Sequence, residues 1–444
     1  MRAALIRRLV IALALLLAAL PAAAATVAGE SLVQRVVSPG GIEVWLVRDS
    51  KNPIIALNWS FRGGAATDPP DRLGLAAMTA GLLDEGAGDL DAVAFQGRLA
   101  DRSIGLAFTA SRDWLSGALL TLRDNREEAF ALARLALVAP RFDADAVARI
   151  RGQFQVAVTR QEADPVTAAY HALARELFSD HPYGRPLRGT PDTLAAITPD
   201  DLRGFAARRL ARDGLLVTAA GDISPAELAT AVDGIFGDLP AAGAPVAIPD
   251  RVPAAHGQRQ ALPWPGEQSL FVLAAAGVAP DDPDWPAALV LAHILGGDGL
   301  ESRLVAAVRD QRGLAYDVQC NLQSYRHANL LVVNGSTANR TVPEALDLVR
   351  RTLADVAARG VTARELRDAQ AFLIGSFPLQ FTSNRAIAAL LLDIRRDGFP
   401  AAYLDHRATA LRHVTRGAVQ RVAARLLRPE GMATVVVGGA GVPQ

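Results

Sequence analysis

The sequence predicts an α+β protein made of two homologous repeated domains, each a mostly antiparallel sheet with helices packed on one face. Three observations carry that expectation. Strand and helix patterns are clustered rather than strictly alternating, which favours antiparallel layers over a parallel βαβ stack. The same order of elements occurs twice, once in each half of the chain. Between the halves runs Leu239-Pro-Ala-Ala-Gly-Ala-Pro-Val-Ala-Ile-Pro249, which has neither a helical nor a strand period. At 444 residues and 50% hydrophobic content the chain can bury more than one core.

The first element is a targeting segment. Arg2, Arg7 and Arg8 flank or precede an apolar run from Leu9 to Leu20, followed by Pro21 and small residues, the layout of a cleavable signal peptide over 1–25. The run falls short of the ~20 residues that span a bilayer. The mature chain is therefore expected to be periplasmic, with no membrane association and a net charge of three negatives once the three arginines are removed. The domains are expected at 26–238 and 257–444, with the linker over 239–256.

Apolar alternation and β-branched runs predict strands over 41–47 and 54–61, and a 3.6-residue period predicts helices over 73–83 and 90–100. Strands follow over 105–110 and 114–122, then helices over 126–137, 144–162, 165–178 and 199–210. A late strand over 214–220 precedes a helix over 225–236. The second half repeats the order. A strand over 269–276 leads to helices over 285–295 and 300–310, and strands over 315–322 and 329–336. Helices over 342–358, 362–374, 384–396 and 416–427 precede a closing strand over 433–437, the counterpart of 215–218.

Charge and cysteine content exclude several classes. The 46 basic and 46 acidic residues balance, so no field exists to collect nucleic acid. Cys320, the only cysteine, cannot form an internal disulfide, and its place on a predicted strand suits an inert buried thiol.

Several passages resemble the insulinase/pitrilysin family of zinc peptidases. His181-Pro-Tyr-Gly-Arg-Pro-Leu-Arg-Gly-Thr190, Leu194-Ala-Ala-Ile-Thr-Pro-Asp-Asp-Leu202 and Ala219-Ala-Gly-Asp-Ile-Ser224 look like the closing part of the family's first domain. Leu295-Gly-Gly-Asp-Gly-Leu-Glu-Ser-Arg-Leu304 and Val308-Arg-Asp-Gln-Arg-Gly-Leu-Ala-Tyr316 look like the signature of its second. The resemblance covers nearly all of the mature chain and implies two repeated α+β domains forming half of a clam-shell chamber.

The family's zinc site is His-x-x-Glu-His with a downstream glutamate as third ligand. Two histidines four apart share a helical face, and the glutamate between them reaches a metal-bound water. The resembling segment here is Gly74-Leu-Ala-Ala-Met-Thr-Ala-Gly-Leu82, so Ala77 and Gly81 stand in the histidine positions and Ala80 in that of the glutamate. Val156, with Ala157 beside it, falls at the third-ligand position. None of these side chains binds zinc.

No other constellation replaces the site. No two of the seven histidines lie three to five residues apart. Asp84 and Glu85 point in different directions and read as a solvated loop. There is no Gly-x-Ser-x-Gly elbow, and Gly296-Gly-Asp-Gly299 lacks the Lys-Ser/Thr of a phosphate-binding loop, reading instead as a helix-entry turn.

The second-domain signature keeps Arg309 and Tyr316. In the family these types reach the zinc site from the second domain and steady the substrate carbonyl and its oxyanion. Arg312 is the alternative arginine. Retention of this pair beside loss of the zinc set resembles the non-catalytic subunit of the bacterial two-chain branch. The resemblance then implies no metal in this chain, zinc in a sister subunit carrying His-x-x-Glu-His, unfolded peptides as substrates, and peptidase activity only in the complex. Phe108 and Thr109 lie where the family's substrate-binding edge strand passes. The alternative is a metal-free structural or peptide-holding protein with no role in cleavage.

Overall fold

The first strands form where β-branched and aromatic residues cluster: β1 (Gln34–Val37), β2 (Glu43–Arg48) and β3 (Ile54–Arg62). The computed structural model describes residues 31–297, 302–310 and 312–439, with the side chains of residues 310, 315 and 316 outside that description. The signal peptide expected over 1–25 lies outside the described residues.

The first half continues with α1 (Leu75–Ala80), α2 (Ala92–Asp101), β4 (Gly105–Ala110) and β5 (Trp114–Leu122). Then come α3 (Arg126–Val138), α4 (Ala144–Glu162), α5 (Pro165–Leu177), α6 (Pro191–Ala196) and α7 (Pro199–Arg209), and finally β6 (Leu216–Gly221) and α8 (Pro225–Phe236). Local chemistry sets several starts. Asp164 caps α5 by accepting from Thr167 N, and capping boxes at Thr198/Asp201 and Ser224/Glu227 open α7 and α8, each with proline as its first residue.

No helix or strand occurs between Phe236 and Arg259. The second half then runs β7 (Arg259–Pro263), β8 (Gln268–Ala276), α9 (Trp285–Gly296), α10 (Arg303–Val305), β9 (Ala315–Tyr325) and β10 (Ala328–Ala338). It closes with α11 (Val342–Arg359), α12 (Ala363–Gly375), α13 (Asn384–Arg396), α14 (Tyr403–Arg412), α15 (Arg416–Leu426) and β11 (Ala433–Gly438).

The expected α+β class is what the chain adopts. The first sheet has strand order β1-β2-β6-β3-β5-β4 and the second β7-β11-β8-β10-β9. In each, the late strand β6 or β11 inserts parallel to β2 or β7 and antiparallel to β3 or β8. The two sheets therefore repeat one another strand for strand, β1 being an addition to the first. β1 and β7, which periodicity does not reveal, are short edge strands, and β7 is exposed at both ends and half-buried between them, with no alternation.

Each sheet carries its own helices on one face. In the first, Leu46, Leu57, Trp59 and Phe61 meet Leu132 of α3 and Val232 and Phe236 of α8. Gly117 of β5 lies opposite Trp59, and a Cβ there would fall 2.2 Å from the indole ring, so only glycine lets the ring cross the sheet.

The second faces are covered reciprocally, which the sequence did not suggest. Helix α13, from the second half, sets Ile387, Ala388, Leu391 and Ile394 against Trp45, Val47, Ala56 and Ala220 of the first sheet. Helix α5, from the first half, sets Ala169, Ala172 and Leu173 against Val272, Ala274, Val332 and Val435 of the second. Burial on both faces explains why β3 is buried without a break from Ile55 to Phe61. Polar links reinforce the exchange: Thr218 Oγ1 donates to Ala388 O at 2.8 Å, and Arg395 donates to Val217 O at 2.7 Å and Glu43 O at 2.9 Å.

Candidate functional site

Helix α1 starts at Gly74, whose φ of 93° suits glycine, and it is capped from a distance. The Asp68 carboxylate accepts from Gly74 N at 2.9 Å and Ala76 N at 3.0 Å. Burial outweighs these bonds and pushes Asp68 up to about 7. No sequence signal marked this residue, because its partners are backbone groups six and eight positions on.

Ala77 and Ala80 are buried on α1, and Gly81 ends it. A Cβ at Gly81 would come within 3.1 Å of the Phe154 ring of α4. Phe154 is thus the α4 residue that meets Gly81, whereas Val156 is 53% exposed two positions on. Zinc requires nitrogen, sulfur or oxygen donors; the side chains of Ala77, Ala80, Phe154 and Val156 are hydrocarbon and Gly81 has none, so these residues do not fit the metal. Among the described residues no three His, Cys, Asp or Glu side chains group closely enough to hold one.

Asp84 and Glu85 do not form the solvated loop expected of them. Glu85 is tied to Arg149 of α4 at 2.5 Å. Asp84 is pushed up to about 6 by burial, and Gln96 Nε2 donates to its carbonyl at 2.9 Å. The pair ties the segment after α1 to α2 and α4.

In the second half, Ser302 caps α10, which widens after three residues into a π turn over Ala306–Asp310. Arg303 anchors it with a two-pronged contact to Glu365, at 2.6 and 2.9 Å, and holds that carboxyl down to about 2. Arg309 lies half-buried in the π turn. Leu314 N donates to Val308 O at 2.9 Å and Gly313 N to Arg309 O at 2.7 Å, so the chain doubles back directly into β9. Arg309 and Tyr316 thereby flank one short connection; the Tyr316 side chain lies outside the described residues. Arg312 is exposed and stands 3.7 Å from Glu344, an open ion pair of small energetic weight. Residues 298–301 of the helix-entry turn also lie outside the described residues.

The candidate peptide edge is β4, the terminal strand of the first sheet. Its exposure alternates, with Leu106 and Phe108 turned inward and Thr109 outward. Phe108 packs edge-on against Trp59 at 5.9 Å between centroids, so it can offer a peptide its backbone but not its ring.

His181-Pro-Tyr-Gly joins the halves. The Tyr183 hydroxyl donates to Asp113 Oδ1 at 2.6 Å and accepts from His327 N at 3.1 Å, while Asp113 Oδ2 accepts from Arg326 N at 3.2 Å. Burial and the adjacent carboxylate push the Tyr183 phenol up. His181 Nε2 donates to Pro249 O at 2.9 Å and its Nδ1 accepts from Tyr183 N at 3.2 Å, which assigns the tautomer. Beside this junction a cleft of about 1350 Å³ is lined by Trp114, Arg326, His293 and Phe377, by Arg396, and by Asn321 and Ser324 of β9, the terminal strand of the second sheet. Cys320 is buried on β9 and its thiol is pushed up to about 12, as an inert cysteine would be.

Residues 196–373 match the family model described as Peptidase M16 inactive domain. The chain is 28% identical over 340 residues to the non-peptidase homolog YmxG of Helicobacter pylori, a match covering 76% of this chain and 78% of that one. Among solved structures, a peptidase M16 inactive domain from Pseudomonas fluorescens superposes with a TM-score of 0.86 at 26% identity, over 93% of this chain and 99% of that one. A chain of complex III2 from Candida albicans shares the fold with a TM-score of 0.75 at 14% identity, over 91% of this chain and 96% of that one.

Proposed function

This chain is a non-catalytic M16-like family member, and from that premise we propose that it is the zinc-free subunit of a periplasmic two-chain peptidase. An M16 inactive domain fits a chain that binds no metal itself. The observation that carries the reading is a contrast within one chain. In the first half, Ala77, Ala80 and Gly81 stand with Phe154 where metal donors would be needed. In the second, the signature from Arg309 to Tyr316 is retained.

In this reading a sister subunit supplies His-x-x-Glu-His and its zinc. Arg309 and Tyr316 of this chain supply a fixed guanidinium and a phenol, both donors toward negative charge developing on a peptide carbonyl. Unfolded peptides are enclosed between the subunits, and a free strand edge such as β4, at Phe108 and Thr109, holds them by backbone hydrogen bonds. Export through the signal peptide at 1–25 brings the chain to the periplasm.

The second reading is a metal-free structural or peptide-holding protein with no part in cleavage. The fold shared with a complex III2 chain is the observation on its side. The test is a native pull-down of the tagged mature chain from its own periplasm, with chelator-sensitive peptide cleavage assayed in the eluate. A co-purifying His-x-x-Glu-His chain with such cleavage supports the subunit reading. Recovery of this chain alone and inert overturns it in favour of the second.

A further inference from the structure

A second, smaller cavity of about 260 Å³ lies at the junction of the halves, under the linker segment from Gly243 to Ile248. Five arginines line it, Arg62, Arg112, Arg208, Arg209 and Arg326, the last with its guanidinium over the Trp114 ring, against two aspartates, Asp113 and Asp213. Both carboxylates already have partners. Asp113 holds Tyr183 and the Arg326 backbone, and Asp213 Oδ1 accepts from Gly243 N at 2.7 Å.

Among the described residues, none of the five arginines is in an ion pair. Arg112 is committed to Tyr183 O at 2.7 Å and forms a wall. Arg209 donates from Nη1 to Ala244 O at 2.9 Å, but its Nε is buried without a hydrogen-bond partner. That Nε is closed off from the cavity, so Arg209 can meet a ligand only through its Nη donors.

The backbone makes room for this crowding. Gly63 and Gly214 both have positive φ, and a Cβ on either would fall 2.7 Å from Arg209 Cδ or Arg62 Cδ respectively. Burial, with Arg326 beside it, holds Arg62 below its ordinary value, and burial with Arg208 does the same to Arg209. Arg62, Arg208 and Arg326 are exposed and Arg112 and Arg209 half-buried, so the like charges gather around an open cavity, with Asp213 near Arg62 and Asp68 near Arg209 as partial counter-charges.

We propose that this cavity is a binding site for a small oxyanion, a phosphate or carboxylate group, held by Arg62, Arg209 and Arg326. Guanidinium groups match both oxyanions in shape and donor direction. The site is independent of the peptidase reading, since it needs neither a sister subunit nor the residues Arg309 and Tyr316.

The test is calorimetric titration of the purified mature chain in a chloride buffer with inorganic phosphate, then with acetyl-Gly-Gly bearing a free C-terminal carboxylate and with its amide. Saturable binding is expected, weakened roughly 10-fold or more by Arg62→Ala or Arg326→Ala, as for loss of a charge-assisted contact. Lys51→Ala, which removes a positive charge outside the cavity lining, should leave affinity unchanged. Circular dichroism checks that each variant is folded, and Arg209→Lys keeps the charge while altering the fork. Binding of phosphate alone identifies a phosphate site; binding of the free peptide but not its amide identifies a carboxylate site. Absence of binding to both, or equal affinity in all variants, overturns the proposal.

Discussion

The Tyr183 hydroxyl lies 2.6 Å from Asp113 Oδ1, and the same oxygen accepts from His327 N, so one phenol bridges a turn of the first sheet and the hairpin between β9 and β10 of the second. Asp113 is 8% exposed and Tyr183 fully buried, which makes this a polar joint sealed from water. Such a joint holds only while every member is satisfied.

Tyr183→Phe should therefore destabilise the protein by about 1–3 kcal/mol, the cost of leaving a buried carboxylate acceptor unmade. Urea unfolding of the variant beside the wild type measures it. An unchanged midpoint would show that water replaces the phenol at no cost.

Asp68 predicts a pH dependence. Its carboxyl is raised from an ordinary 3.8 to about 7 in the fold, so the native state holds a proton that the unfolded chain releases. Between about pH 4 and pH 7 the native state binds more protons, and stability falls as pH rises through that window. Asp84 and Asp397, each raised to about 6, act in the same direction. Asp68→Asn should flatten the fall, read as the difference in unfolding free energy between pH 5 and pH 8; an identical slope in the variant would assign the effect elsewhere.

Leu391 of α13 is fully buried against the first sheet although it belongs to the second half. Leu391→Ala should cost about 2–5 kcal/mol, as for a large-to-small change in a packed core. Thermal unfolding should then show one transition at lower temperature. A loss confined to a separate second-half transition would mean that the exchange of helices does not couple the halves.

In the proposed complex, Arg309→Ala and Tyr316→Phe should each lower peptide turnover by roughly 10-fold or more, the loss of one oxyanion donor. Arg312→Ala, which removes an exposed ion pair, should change turnover less than twofold, within the range of a surface charge. Peptide hydrolysis by the reconstituted pair decides between them, and wild-type rates in both of the first two variants would remove the active-site role.

Most regular elements were legible in the sequence because each half-buried segment writes its own period. The long helices α3, α4, α11 and α13 match the expected spans to within a residue or so at their ends. Helix α14 was not legible: it has no side-chain cap, and Leu411 is its one fully buried residue, so no stripe marks it. The π turn around Arg309 was read as ordinary helix, because the wider turn depends on how the chain re-enters β9. At the vacated site, the absence of donors at Ala77, Ala80 and Gly81 was plain from the letters. That the Phe154 ring lies against Gly81, and that Phe108 belongs to the core, was not.

The sequence by itself determined the class of the protein and the duplication of its sheets, since these follow from local periodicity, and residue type alone shows that Ala77, Ala80 and Gly81, the positions the family resemblance points to, carry no metal donors. Only the tertiary structure decided which residues meet. The exchange of α5 and α13 between halves, the Tyr183–Asp113 joint and the gathering of Arg62, Arg209 and Arg326 under the linker bring together groups that are tens to hundreds of residues apart. No local signal encodes such neighbours, because the burial that selects them exists only once both sheets have formed.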